Sequence, residues 1–199
     1  MATKGRTCSR SCLDYLLIEV VSHYANARQG PCLEVALEAI GLRVGIALAE
    51  RCTRDRSPIS EPLDIIKFIC KELWTEAFGK GVDNLRTNHR GTFVLRDVQF
   101  SWLEALHPNQ LPPWLPGAGP SRAPTQDDAP PSPTSPGHPA PSALPSPVTS
   151  HAVLPCALLR GALSAMGLEA SVTLDASSLP QADFTVVLRS PPGSWAGQE

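Results

Sequence analysis

PLDIIKFICKELWTEAFGKGVDNLRTNHRGTFVLRD (Pro62–Asp97) is the stretch of sequence that decides the fold. Its first half has apolar residues at alternating spacings of three and four, which places them on one face of a helix. These residues are Leu63, Ile66, Cys70, Leu73 and Ala77. A second set widens the apolar face: Ile65, Phe68, Ile69, Trp74 and Phe78. The pattern predicts a mostly buried helix, with Ser60 as N-cap, Pro62 in the first turn and Gly79 at the end.

The second half of the same stretch predicts a β-hairpin. Leu85–Asn88 and Thr92–Arg96 are strand-like runs on either side of a turn that contains Arg90 and Gly91. Basic residues crowd this hairpin, which is typical either of a solvated strand face or of a surface for an acidic partner. We favour the solvated strand face and keep the binding surface as the alternative.

Two helical stretches precede the central helix. Cys12–Asn26 repeats apolar residues with helical spacing. Cys32–Arg54 does the same, with a predicted buried face at Leu33, Ala36, Leu37, Ile40, Val44, Ala47 and Leu48. Gly41 and Gly45 lie inside the second pattern, and each costs about 1 kcal/mol of helix stability relative to alanine. We expect a break near Gly41; the alternative is that the glycines allow another backbone to approach closely.

A change of composition follows the hairpin. Between Pro108 and Pro147 lie 14 of the 21 prolines, which excludes regular helix and central strand there. Order is predicted to resume near Ala152, with a helix that has Pro155 in its first turn and ends at Gly167. Two strands follow that helix, Ala170–Leu174 and Phe184–Leu188.

This order of elements predicts a single α/β domain of the α+β type, with an antiparallel sheet covered by helices. The domain is expected to comprise residues 12–106 and 152–190. Residues 107–151 are expected to form a disordered proline-rich insertion, and residues 1–11 and 191–199 flexible tails.

Composition and motifs argue against several classes of function. A net charge of -2 disfavours nucleic acid as a partner, and no apolar run is long enough to insert into a membrane. The six cysteines are not spaced for a metal site, and we expect free thiols. Neither a phosphate loop nor a paired nucleophile and base is visible. We therefore expect no catalytic, cofactor-binding or metal-binding residues, and no enzyme.

The first two helices have broad apolar faces, which either complete an ordinary core or pack against a second subunit. As a hypothesis, we assign a partner interface to ten of their residues. These are Leu13, Leu16, Leu17, Val20, Val21, Tyr24, Gly41, Val44, Gly45 and Leu48.

Several segments together carry a family resemblance: GLRVG (41–45), ER (50–51), LDIIKFICKELW (63–74), DNLRTNHRGTFVLRD (83–97) and LLRGALSAMGLEASV (158–172). The chain resembles the small subunits of the TRAPP (transport protein particle) complex, and among them the sixth-subunit type. The resemblance implies four main helices on one side of a twisted, four-stranded antiparallel sheet.

The resemblance also implies a function. Small TRAPP subunits are non-enzymatic scaffolds that form heterodimers through helical surfaces with other small TRAPP subunits. Their assembly tethers vesicles in ER-to-Golgi transport and acts as an exchange factor for a Rab-family GTPase. It implies a cytoplasmic location, peripheral to the Golgi and the endoplasmic reticulum, without membrane insertion.

Two features of the chain depart from the family pattern. A sister subunit type carries an acylated cysteine where this chain has Arg56, so lipidation is not expected at that position. The usual connector after Phe100 is replaced by the proline-rich segment, either as an insertion or as the product of an alternative transcript. The alternative function is a small-molecule or lipid-binding domain, because the fold resembles bacterial ligand-binding domains.

Overall fold

A computed structural model describes residues 9–26, 32–88, 90–104 and 147–189. The helices are α1 (Arg10–Asn26), α2 (Leu33–Thr53), α3 (Pro62–Phe68), α4 (Trp74–Phe78), α5 (Ser101–Glu104) and α6 (Pro147–Ala165), with a π-helical turn (Ile69–Leu73) that joins α3 to α4. The strands are β1 (Asn84–Thr87), β2 (Thr92–Asp97), β3 (Ala170–Asp175) and β4 (Ala182–Leu188).

The four strands form one antiparallel sheet in the order β1-β2-β4-β3. Alternate residues of the central strands are buried, as Phe93 and Leu95 in β2 and Phe184 and Val186 in β4 show. These side chains join the core with residues from α3, α4 and α6, while α2 packs along α6. The predicted α+β class, with the main helices against an antiparallel sheet, is confirmed.

The central helix forms as predicted, with two differences. Its N-cap is Glu61 rather than Ser60, and Pro62 occupies the first turn. Its middle winds as a π-turn in which Trp74 N donates to the carbonyl of Ile69. The Cys70 carbonyl in this turn accepts a hydrogen bond from Val82 N at 2.9 Å, so the loop after the helix is bound to the turn. Gly79 ends the helix at φ 86°, as expected for a glycine in the left-handed region.

The predicted break in α2 is wrong, because the helix runs through both glycines. A Cβ atom on Gly41 would lie 2.6 Å from Ala157 Cβ, and one on Gly45 would lie 2.8 Å from the carbonyl carbon of Leu158. Gly161 of α6 meets the backbone of α2 in the same way. The glycines therefore let the two helix backbones touch, which was the alternative interpretation.

The last helix begins earlier than predicted. It starts at Pro147 rather than near Ala152, so residues 147–151 belong to the domain and not to the predicted insertion. Pro155 lies in the helix interior rather than in its first turn, and Gly167 ends the helix at φ 82° as expected. The predicted insertion up to residue 146 and the tail from residue 190 lie outside the described residues.

A buried carboxylate lies at the end of β2. Asp97 is fully buried, and its carboxylate accepts hydrogen bonds from Trp74 Nε1 at 2.9 Å and from Gln99 N at 3.0 Å. Lys80 Nζ lies 2.7 Å from the same carboxylate. Partial desolvation works against the charge of Lys80, but hydrogen bonds to Asp83 and Asp97 outweigh it and raise the lysine pKa. This network joins the sheet to the central helix.

We predict that Gly45→Ala destabilises the protein by about 1–3 kcal/mol, because its methyl group would overlap the α6 backbone. The same change in an unobstructed helix would be stabilising. The matched control is Gly81→Ala, whose Cβ would lie at an ordinary 3.5 Å from the Cys70 carbonyl oxygen. The midpoint of urea unfolding is measured for both variants. Equal midpoints would contradict the close crossing of α2 and α6.

We also predict that Asp97→Ala lowers the free energy of unfolding by about 3–5 kcal/mol, since it leaves the Trp74 indole N–H and the Gln99 N–H without an acceptor. Asp83→Ala is the control, because that carboxylate is exposed and also contacts Lys80. Removing an exposed ion pair costs about 1 kcal/mol or less. Thermal unfolding measures both variants. A similar loss of unfolding free energy in the two would show that the buried carboxylate of Asp97 stabilises the fold no more than the exposed carboxylate of Asp83.

Candidate subunit interface

One side of α1 is apolar and open to solvent. Leu16 is 57% exposed and Leu13 is 38% exposed. Leu17, Val20 and Tyr24 are half-buried and share this side of the helix by their spacing. We call these five residues the α1 stripe. All five belong to the predicted interface.

A neighbouring side of α1 attaches the helix to the domain. Ile18 and Val21 are three residues apart and are buried, with 6% and 7% of their surfaces exposed. Val21 was assigned to the predicted interface, and the structure corrects this assignment. It faces inwards because it shares the Ile18 side of the helix, so it is unavailable to a partner.

The predicted interface residues of α2 fall into two groups, one at the surface and one covered by the same chain. Val44 is 46% exposed and Leu48 is half-buried, so both reach the surface. Gly41 and Gly45 are covered by α6 of the same chain, which removes them from any surface. The predicted buried face of α2 is also wrong at Val44 and Ala47, which are exposed. The close glycine contact turns the small residues, rather than the large apolar ones, toward α6.

A second apolar row on α2 was not predicted. Val35 is 55% exposed and Ile46 is 38% exposed, and Ala39 and Leu42 lie between them on the same side. The spacing of four, three and four residues was present in the sequence. The row through Leu33 and Ile40 contains more apolar residues, so the sequence pattern favours that row as the buried face.

The start of α1 is fixed to the segment after β2. Arg10 Nη2 lies 2.8 Å from Glu104 Oε2 and donates to the carbonyl of Ser101 at 3.0 Å. A hydrogen bond from Gln99 is the main cause that lowers the pKa of Glu104, and Arg10 adds to it. These residues line an open cleft of about 470 Å³ between α1 and the end of α4. The pairing of Arg10 with Glu104 at the cleft holds the start of α1 in place.

The basic residues of the hairpin fall into two groups, one paired and one exposed. Arg96 pairs with Asp183 of β4 through Nη2 and Oδ2 at 2.6 Å. Arg86 and Arg90 are exposed, and the Asn88 side chain accepts the Arg90 N–H at 2.9 Å to close the turn. Arg96 therefore stabilises the sheet, and Arg86 and Arg90 are solvated as favoured from the sequence.

Burial keeps two thiols and one imidazole of the described residues neutral at physiological pH. Burial raises the pKa of the Cys70 and Cys156 thiols to about 12 and lowers that of His151 to about 4. In the described part of the chain, no group of side chains is arranged to hold a metal ion. None of the described helices is long and apolar enough to cross a membrane. The α1 stripe therefore offers apolar contact area rather than chemistry.

The sequence is similar to those of known proteins. The sequence model of the family described as Transport protein particle (TRAPP) component matches residues 13–124. The chain is 34% identical to mouse Trafficking protein particle complex subunit 6B, over 83% of this chain and 87% of the relative. It is 38% identical to human Trafficking protein particle complex subunit 6A, over 76% of each chain.

A solved structure shows the same fold. The chain matches a trafficking protein particle complex subunit 3 from Naegleria fowleri, which is covalently bound to palmitic acid, with a TM-score of 0.55. The match covers 92% of this chain and 98% of that chain at 13% identity, so it reports on the fold alone. The sequence matches show that the chain belongs to the TRAPP component family and is of the subunit 6 type.

Proposed function

We propose that the chain is a non-catalytic scaffold subunit that forms a heterodimer with another small TRAPP subunit. The observation that carries the proposal is the α1 stripe, in which Leu13 and Leu16 expose more than a third of their surfaces. Val44 of α2 adds a third large apolar side chain. Exposed apolar clusters of this kind mark protein–protein contacts.

The proposed setting of this pair is the cytoplasmic face of the Golgi and endoplasmic reticulum. There the assembled particle would tether transport vesicles and promote nucleotide exchange on a Rab-family GTPase. The membership of the chain in a trafficking particle supports this setting. The absence of charged groups from the α1 stripe supports a packing role rather than direct contact with a nucleotide.

The alternative, a lipid-binding or small-molecule-binding domain, has less support. Trp74 packs edge-on against Phe78 and Phe184 with ring centroids 4.7 and 5.1 Å apart, which fills the space between helix and sheet. Arg56 stands where a sister subunit type has its acylated cysteine, and its guanidinium lies 5.4 Å from the Phe68 ring centroid. Its Nη1 also lies 2.8 Å from Glu72. A cation bound in this way does not favour an acyl chain.

We predict that Leu16→Asp abolishes the heterodimer. Its position is 57% exposed, so the aspartate costs the free chain little, but pairing would bury the charge at a cost of several kcal/mol. The dissociation constant is then expected to rise at least about 100-fold. Co-expression with another small TRAPP subunit, followed by light scattering, measures the pairing.

The matched control is Leu63→Asp, which adds the same charge at a leucine that is 41% exposed on α3. It should leave the heterodimer intact. A chain that is a stable monomer in the presence of the partner subunit would contradict the proposal. So would equal weakening by the two variants, because it would show that the α1 stripe is not the interface.

We further predict that the isolated chain leaves the release of labelled guanine nucleotide from a Rab-family GTPase unchanged. We base this on the proposed packing role of the α1 stripe and on the exposed, solvated arginines of the hairpin, Arg86 and Arg90. A release assay with the chain alone and with the assembled particle measures this. Acceleration by the chain alone, lost in Arg86→Ala, would overturn the scaffold role and give the hairpin a direct function.

A further inference from the structure

Strand β3 lies at an edge of the sheet, and none of the described strands pairs with its outer side. It pairs with β4 alone, at one end of the order β1-β2-β4-β3. Leu188 N donates to Gly91 O at 2.9 Å, so the Leu188 N–H points toward β2. Arg189 N donates to Glu169 O at 2.7 Å, so the next N–H points toward the β3 side. The direction of every backbone group in β3 follows from this alternation.

In an antiparallel pair, every second residue exchanges hydrogen bonds with the neighbouring strand. The backbone of Glu169 faces β4. Ser171 and Thr173 come two and four residues later, so they also direct their backbone groups toward β4. Ala170, Val172 and Leu174 therefore direct their N–H and C=O groups toward the open edge. The edge thus presents three donors and three acceptors in the spacing of a strand.

A groove runs between this edge and α6. It has a volume of about 270 Å³, and its apolar lining includes Ala152, Val153, Cys156 and Leu174. Small-molecule sites usually measure about 300–1,000 Å³. The groove is smaller than those sites, and its size suits the side chains of a bound segment. Cys156 contributes apolar wall, since burial raises the pKa of its thiol to about 12 and keeps it protonated.

The two charged residues of the groove are already paired with each other. Arg160 Nη2 of α6 forms an ion pair with Glu38 Oε1 of α2 beside the groove. The pair leaves no net charge to attract an anion or a cation. The groove therefore selects an uncharged, apolar occupant.

The two edges of the sheet differ in their protection. Natural edges are commonly blunted by short strands and by charged side chains or proline. The β1 edge has four residues, and Arg86 is exposed on it. The β3 edge has six residues without lysine, arginine or proline, and its one charge, Asp175, accepts a hydrogen bond from Ser177 N at its far end. The β3 edge is open to pairing.

We propose that the β3 edge and its groove bind an extended segment of a partner polypeptide, which adds a fifth strand to the sheet. Residues of that segment opposite Val172 and Leu174 place their side chains on the same face of the sheet, and so in the groove. Those residues are apolar and of valine or leucine size, and they are not proline, because each must donate an N–H. A lipid would leave the row of backbone groups unpaired.

The test uses the full, isotope-labelled chain and a capped peptide of alternating valine and threonine between terminal lysines. Amide exchange is followed by NMR. At saturating peptide, exchange at Val172 and Leu174 should slow at least about tenfold, a change that corresponds to one or two backbone hydrogen bonds. Exchange at Ser171 and Thr173 should not change, because these N–H groups already pair with β4. A peptide with N-methylated valines is the control and should not bind.

Two variants separate the backbone contribution from the groove. Ala170→Pro removes an outward N–H at the first residue of β3, does not alter the groove lining and keeps the pairing with β4, so peptide affinity should fall at least about tenfold. Ala152→Trp fills the groove from α6 without changing β3, and it should weaken binding by a similar factor. Ser171→Ala is the matched control, because Ser171 does not line the groove and its side chain lies on the opposite face of the strand from Val172 and Leu174.

Three results would overturn the proposal. The first is slow exchange at Val172 and Leu174 in the free chain, which would show that another part of the chain or a second copy already occupies the edge. The second is equal binding of the N-methylated peptide. The third is unchanged affinity in Ala152→Trp, a variant that leaves every β3 backbone group in place.

Discussion

The fully buried carboxylate of Asp97 is the constraint on which the rest of the structure depends. It binds the indole N–H of Trp74, the ammonium of Lys80 and the backbone N–H of Gln99. These three groups come from the central helix, from the loop that follows it and from the segment that leaves the sheet. An ionised buried group is tolerated only when it is paired and hydrogen-bonded. The position of the helix against the sheet is therefore fixed in both distance and rotation.

The second constraint is the crossing of α2 and α6, and it determines which surface is left for partners. The two backbones touch at Gly45 and Gly161, so the smallest residues of each helix are the ones that are covered. The large side chains of α2, such as Val44 and Ile46, then remain at the surface. In this way a packing requirement inside one chain leaves Val44, the α2 residue that we add to the proposed pairing surface, open to solvent.

The sequence was sufficient for the features that arise locally. The central helix, its end at Gly79 and the hairpin follow from periodicity and turn residues. The course of α2 and the rotation of α1 depend instead on tertiary contacts. A glycine such as Gly45 predicts either a break or a close approach, and the choice depends on α6, which is distant in the sequence. Likewise, the assignment of Val21 depended on how α1 is rotated against the domain. The open edge of β3 could not be predicted before the strand order was known.

The strand order has a consequence for synthesis of the chain. Strand β4 comes last in the sequence but lies in the middle of the sheet, and its Val187 pairs with Thr92 of β2. At about 5–20 residues per second, a ribosome needs on the order of 5–20 seconds to make the residues between these two. During that interval the nascent hairpin has an unsatisfied inner edge and an uncovered apolar face. Exposed strand edges and apolar surface of this kind are prone to aggregation during folding, and premature termination before β4 removes the centre of the sheet rather than its margin.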